Sequence, residues 1–368
     1  MSQGAFIPWA KPQFYGSEQK FVMDALESTW ISGGPYVTAF EKAMADICQA
    51  KYALATSNGT TAIHLAFLAL GLQAGDEVVV PAFAFQAAAN IAMHMNIKPV
   101  FADVTADTWC LDAGDVEKRI TPATKAIVAV HTYGNLCDMD SLRALTREKG
   151  LFLVEDAAEG FPSRYKNRYA GNLGDVGTFS FHATKPVTTG EGGMVMTDNE
   201  EVAGQAALFR SHGMARQDRF YWHELHGHNF RLTNLQAALG CAQLEHLATI
   251  INTRKQIYTA YKERLEEFEG LSFQQITPDT DTVFWAFGVK LDADIFPQGR
   301  DAVMKQIAEH NIETRPAFYP ASALAYLNAP TFRNADEIGY SSLSLPSYPG
   351  LTEDELDHVC EALKACRR

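Results

Sequence analysis

The chain has 368 residues, 47% hydrophobic and 20% charged, which is material for one large and one smaller globular domain and excludes a disordered polymer. A net charge of -13 excludes nucleic acid as a general partner, because phosphate backbones are bound through a surplus of Lys and Arg. No apolar run reaches membrane-spanning length, Met1 to Phe14 lacks the pattern of a leader, and Cys48, Cys110, Cys137, Cys241, Cys360 and Cys366 form no C-x-x-C pair, so the expectation is a cytoplasmic protein with reduced thiols.

In chain order, an amphipathic segment opens at Ser17, a candidate N-cap, and runs toward Trp30. The loop Ile31-Ser-Gly-Gly-Pro35 and a helix over Val37 to Cys48 follow. A short strand, Tyr52 to Thr56, meets Ser57-Asn-Gly-Thr-Thr61, where the helical spacing of Ile63, Leu65, Ala66 and Leu70 begins. Such a turn is either an ordinary cap or an anion site, since unpaired N–H groups and the helix dipole point out of the helix start. From Glu77 to Asp156 the runs Val78–Val80, Pro99–Ala102, Ala126–Val130 and Leu151–Val154 read as strands buried on both faces. Between them Phe85 to Met95, Asp112 to Arg119 and Met139 to Lys149 have helical spacing, which makes an α/β chain with a mainly parallel sheet. Ligands in such sheets bind beyond the carboxyl ends of the strands. Asp156 ends one strand and Phe85 follows another; each is either a site residue or, respectively, a helix cap and a core aromatic.

The stretch Gly177-Thr-Phe-Ser-Phe181 reads as a strand that runs into a loop holding Lys185 and closing on Thr188 to Gly193. Lys185 is either a surface lysine or a desolvated amine able to form a Schiff base. A pyridoxal 5'-phosphate site needs such a lysine, a carboxylate for the pyridine nitrogen, an aromatic face for the ring and a polar helix start for the phosphate. Lys185, Asp156, Phe85 and Ser57 to Thr61 supply them in that order. No G-x-G-x-x-G follows a strand, which argues against a nicotinamide site.

Ser57-Asn-Gly-Thr60, Gly75-Asp-Glu-Val-Val-Val-Pro81, Val130-His-Thr-Tyr-Gly134, Glu155-Asp-Ala-Ala158, Gly190-Glu-Gly-Gly193 and Asn229-Phe-Arg-Leu-Thr-Asn234 together resemble the DegT/DnrJ/EryC1/StrS family of pyridoxal phosphate-dependent nucleotide-sugar aminotransferases. The resemblance runs from Trp30-Ile-Ser32 to Leu345-Pro-Ser347. It implies the aspartate aminotransferase type of fold (fold type I), with a large domain over residues 1–240 and a small α/β domain over 241–368. It also implies that Lys185 is the Schiff-base lysine and proton shuttle, that Asp156 partners the pyridine nitrogen and that Phe85 stacks on the ring. Gly59, Thr60 and Ser180 would hold the phosphate, with Asn229 reaching it from the neighbouring subunit of a homodimer. L-glutamate is the implied amino donor and a nucleotide-linked keto sugar the acceptor.

Trp30-Ile-Ser32, Cys137-Asp-Met139, Asp156-Ala-Ala-Glu159 and Leu232-Thr-Asn234 are most similar to family members that aminate C4 of GDP-4-keto-6-deoxymannose. Many relatives carry Gln where Glu159 stands, another residue implied to bind cofactor. Phe181-His-Ala-Thr-Lys185 and Ser322, after Phe318-Tyr-Pro320, depart from that subgroup, so dTDP- or UDP-linked 3- or 4-keto sugars remain alternatives. Trp30, His182, Arg315 and Ser322 are the candidate substrate residues, Arg315 being either an anion partner or a structural ion pair. A branch of the family with His at the lysine position dehydrates sugars; Lys185 argues against that activity and against a sensor without turnover. His223, His226 and His228 match no helical zinc spacing, so no metal is expected; with Phe220-Tyr-Trp222 they read as an interface loop. A helical pattern from Thr233, with an interruption before it ends at about Phe268, a strand over Val283 to Leu291 and helices over Arg300 to His310 and Glu353 to Cys366 complete the chain.

Overall fold

A computed structural model describes residues 5–215, 219 and 221–368; Phe220 of the expected interface loop lies outside them. The continuous apolar runs form strands because both of their faces are covered. Seven of them, β1 (Tyr52–Thr56), β2 (Glu77–Pro81), β3 (Lys98–Ala102), β4 (Thr124–Val130), β5 (Phe152–Asp156), β6 (Val176–Ser180) and β7 (Gly193–Thr197), make a seven-stranded sheet in the order β1-β7-β6-β5-β4-β2-β3. Only β7 is reversed, antiparallel to both β1 and β6. Alternate residues feed two separate cores: Val78, Val80, Ala126 and Val128 enter one, while Val79, Ile127 and Ala129 enter the other. Each of the larger of these side chains, once fully buried, contributes roughly 1.5–3 kcal/mol.

Helices α1 (Glu18–Glu27), α2 (Pro35–Cys48), α3 (Gly59–Ala69), α4 (Ala87–His94), α5 (Ala113–Arg119), α6 (Met139–Lys149), α7 (Glu200–Arg210) and α8 (Asn234–Glu245) accompany the sheet. Ile63, Leu65 and Ala66 of α3 pack into the first core; Phe40 and Met44 of α2 and Leu142 of α6 pack into the second. The crossovers put the carboxyl ends of β1, β2, β4, β5 and β6 on one rim, where the segments holding Gly59, Phe85, Tyr133, Asp156 and Lys185 follow.

A third core lies under a second, antiparallel sheet of β8 (Leu271–Phe273), β9 (Phe287–Leu291), β10 (Arg315–Pro316) and β11 (Ser342–Leu345), ordered β8-β9-β11-β10. Helix α9 (Leu247–Leu265) joins the two regions: Ile250 lies in the second core, Ile257, Tyr261 and Leu265 in the third. Helices α10 (Arg300–Ala308), α11 (Arg333–Ser341) and α12 (Glu353–Lys364) follow in the second half of the chain, α10 and α12 contributing to the third core. Ile7, far away in sequence, also packs there, and its N–H donates to the Asn311 carbonyl at 2.9 Å.

Two local expectations need correction. Ser17 makes no side-chain cap; the Glu18 carboxylate instead accepts the Tyr15 and Gly16 N–H groups, at 3.0 and 2.9 Å. The interruption expected in the long helical pattern after Thr233 falls at His246, between α8 and α9. The strand expected over Val283 to Leu291 starts only at Phe287, because Phe284 has φ 54° and the neighbouring amides are used elsewhere: Val283 donates to Ser163 Oγ at 2.8 Å, and Trp285 to the Tyr133 carbonyl at 3.0 Å. No helix among the described residues is long and apolar enough to cross a membrane.

Candidate active site

The reversal between β6 and β7 presents Lys185 at the sheet rim, where its N–H donates to the His182 carbonyl at 2.8 Å. Its side chain is not a surface one. Nζ lies 3.9 Å from Glu159 Oε1 and 3.6 Å from the centroid of the Trp285 ring. Burial lowers the pKa of the amine, against the opposing charges of Glu159 and Asp156. Asp156, at the end of β5, is buried, and burial raises its pKa, against the Ala158 N–H on Oδ1 at 3.1 Å and the Lys185 charge. Glu159 accepts the Tyr133 N–H on Oε2 at 2.8 Å, and burial pushes its carboxyl up to about 7, with Lys185 pulling the other way.

Behind Asp156 lies a second carboxylate. Glu155 is wholly buried; it meets His131 Nε2 at 3.0 Å and accepts the N–H groups of Gly171 (2.9 Å), Leu173 and Gly174 (2.6 Å). The Cys137 N–H meets His131 Nδ1 at 3.3 Å, so that Nε2 carries the proton that faces Glu155. This network fixes the strand end from which Asp156 projects.

The start of α3 faces the same rim. Asn58 Oδ1 accepts the Thr61 N–H at 2.9 Å, and Thr61 Oγ1 accepts the Asn58 N–H at 3.2 Å, a reciprocal cap. Among the described residues, the N–H groups of Gly59 and Thr60 have no acceptor, and the first turn of α3 holds no acidic residue. Gly59 is dictated by close approach, since a Cβ there would stand 2.9 Å from Ser180 Cβ. Two free N–H groups, a helix start and the Ser180 hydroxyl fit a phosphate. A buried carboxylate with raised proton affinity whose Oδ2 accepts no hydrogen bond among the described residues fits a ring N–H. The residues present therefore suit pyridoxal phosphate.

Other expected site residues are less engaged. Phe85 is 61% exposed at the rim, edge-on to Phe318 with centroids 6.0 Å apart. His182 is exposed beside Lys185, with Nδ1 3.0 Å from Thr184 Oγ1 and Nε2 3.7 Å from Glu191. Asn229 is exposed and bridges Ser211. Trp30 is exposed, its carbonyl accepting from Asn234 Nδ2 at 2.7 Å. Arg315 pairs with Glu313 at 2.5 Å, and the Ser322 hydroxyl donates to Asp336. The sequence reasoning missed Trp285, Tyr133 and the His131–Glu155 pair. The Val130-His-Thr-Tyr-Gly134 motif, which holds His131 and Tyr133, and the Glu155-Asp-Ala-Ala158 motif, which holds Glu155, could have pointed to all but Trp285.

A family model of the DegT/DnrJ/EryC1/StrS aminotransferases matches residues 13–364. The chain belongs to this family. As a DegT-family enzyme it is a pyridoxal phosphate-dependent sugar aminotransferase. It is 39% identical to a GDP-perosamine synthase of Caulobacter vibrioides, over 99% of each chain. It is 37% identical to one of Escherichia coli O157:H7, over 97% of this chain and 98% of that protein. The PMP-form structure of the putative sugar aminotransferase Spr1654 from Streptococcus pneumoniae superposes with a TM-score of 0.93 at 25% identity, over 98% of each chain.

Proposed function

We propose that this DegT-family enzyme moves an amino group from L-glutamate to C4 of GDP-4-keto-6-deoxymannose, giving GDP-perosamine, in the cytoplasm and as a homodimer. The observation that carries the substrate is the near full-length similarity to two GDP-perosamine synthases. The observation that carries the chemistry is a buried amine between Glu159 and Trp285 beside Asp156.

When bound, pyridoxal phosphate supplies a carbonyl for amine exchange and a ring that accepts electrons. Lys185 Nζ, held below its ordinary pKa by burial, takes a proton from the glutamate Cα and returns one at C4 of the sugar in the second half-reaction. Asp156 would keep a proton on the ring nitrogen in both halves. The N–H groups of Gly59 and Thr60 and the Ser180 hydroxyl would hold the phosphate, and Phe85 would supply an aromatic face for the ring. Asn229, exposed in one chain, reaches the site of its partner. Trp30, His182, Arg315 and Ser322 line the approach of the sugar nucleotide.

The test is product analysis with L-glutamate and a panel of keto sugars on GDP, dTDP and UDP. Exclusive formation of GDP-perosamine from GDP-4-keto-6-deoxymannose supports the proposal. Preferential amination of a dTDP- or UDP-linked sugar refutes the substrate while leaving the transaminase intact. Conversion without consumption of the donor points to the dehydratase.

A further inference from the structure

Trp285 enters neither the sequence motifs nor the chemistry just described, yet it is the aromatic ring nearest the reactive amine. Trp285 is 7% exposed, and the Lys185 ammonium sits 3.6 Å from its ring centroid. Three hydrogen bonds fix that ring. Trp285 Nε1 donates to the carbonyl of Thr184, the residue before Lys185, at 2.8 Å; its N–H donates to the Tyr133 carbonyl at 3.0 Å; and its carbonyl accepts from Arg254 Nη1 at 3.0 Å. Tyr133 is the common anchor. Its φ of 61° belongs to the left-handed region, and its N–H holds Glu159, the carboxylate 3.9 Å from Lys185, while its carbonyl holds Trp285. Ring and carboxylate are thus hung from one backbone unit on either side of the amine. The aromatic shell continues through Trp9, edge-on to Trp285 at 5.6 Å, and Phe318, stacked at 6.5 Å.

We propose that Trp285 is a positioning residue for Lys185: its ring face receives the lysine ammonium whenever the amine is free, and holds it within reach of Glu159. The proposal rests on the reading of Lys185 as the reactive amine. A cation over an indole is stabilised by the ring quadrupole, more so where water is excluded. Burial works in the opposite direction on this amine, and the charged groups that act on it are Glu159 and Asp156, which favour the ammonium, and Arg254, which opposes it. The ring therefore works against burial and favours the ammonium over the free amine. This matters at the stage where Lys185 returns a proton.

The test uses the full-length, cofactor-free chain. Competitive labelling with trace acetic anhydride across pH, read by mass spectrometry at Lys185, reports the fraction of free amine without any turnover. Trp285→Leu removes both the ring and the Nε1–H, and Trp285→Phe keeps a weaker ring face. The expected result is a titration midpoint that moves down, with labelling below it about five- to tenfold faster in Trp285→Leu and less so in Trp285→Phe. If the Leu variant does not fold, the Phe variant against wild type reads the same direction. A midpoint unchanged or raised in the folded variants overturns the proposal. Failure of the wild type to bind pyridoxal phosphate at Lys185 would overturn the reading of the lysine instead, and leave the labelling comparison intact.

Discussion

Lys185 combines features that rarely serve structure alone: a buried amine, two carboxylates acting on it and an aromatic face beneath it. Lys185→Ala is expected to cut turnover by more than about 10⁴-fold, because the nucleophile and the proton carrier are lost together, while far-UV circular dichroism stays at wild type. Glu159 gives a signed pH prediction. Its folded-state pKa, about 7, lies above the ordinary 4.5, so its contribution to stability is present below about 4.5 and is lost as the pH rises through about 7. Melting of the cofactor-free protein should show Glu159→Gln losing less Tm between pH 5 and pH 8 than wild type. An equal or larger loss would mean that Glu159 is ionised throughout that range.

At the scale of elements, the segment after α7 lies over α3 through a stack of rings: His64 to His228 at 5.1 Å, His64 to Phe230 at 5.3 Å and His228 to Phe230 at 4.6 Å. Burial lowers the His64 pKa to about 4, aided by the neighbouring His228 and His94. A depressed histidine binds fewer protons folded than unfolded, so its contribution to stability is present above about 6.5 and is lost as the pH falls toward 4. His64→Gln should therefore show a shallower drop in Tm between pH 7.5 and pH 5 than wild type. Legibility in the sequence followed burial. The runs in β2, β4 and β5 are apolar throughout because both faces are covered, and they stood out as strands. β7 did not, since Gly193–Thr197 continues directly from a glycine cluster and its pairing with β1 joins residues far apart in sequence. Val283 to Ala286 looked like strand and is instead a linker hung on Ser163 and Tyr133. Trp285 stayed invisible for the same reason: an apolar residue in an apolar run is indistinguishable from core until the fold brings Lys185 to its face. Lys185 and Asp156 stand out in the sequence as candidates because a charged residue breaks the apolar or small-residue pattern around each.

At the scale of the molecule, the proposed dimer places Asn229 of one chain at the phosphate of the other. Light scattering should give twice the 40.5 kDa chain mass. Mixing Lys185→Ala with Asn229→Asp chains, each inactive, should restore activity, since one site of the hybrid receives both intact residues; no recovery after subunit exchange would put Asn229 in its own chain's site or outside any site. Under the proposed function, Gly59 and Thr60 would hold the phosphate, Asp156 the ring nitrogen and Lys185 the moving proton, whereas the hydroxyl of Ser322, a proposed sugar contact, is tied to Asp336. The most direct test of the account is the visible absorption of the purified protein loaded with pyridoxal phosphate, followed on addition of L-glutamate and then of GDP-4-keto-6-deoxymannose. The expected result is a band that glutamate removes and this sugar nucleotide restores. Absence of the band in the loaded wild type, or its presence unchanged in Lys185→Ala, would contradict the assignment of Lys185.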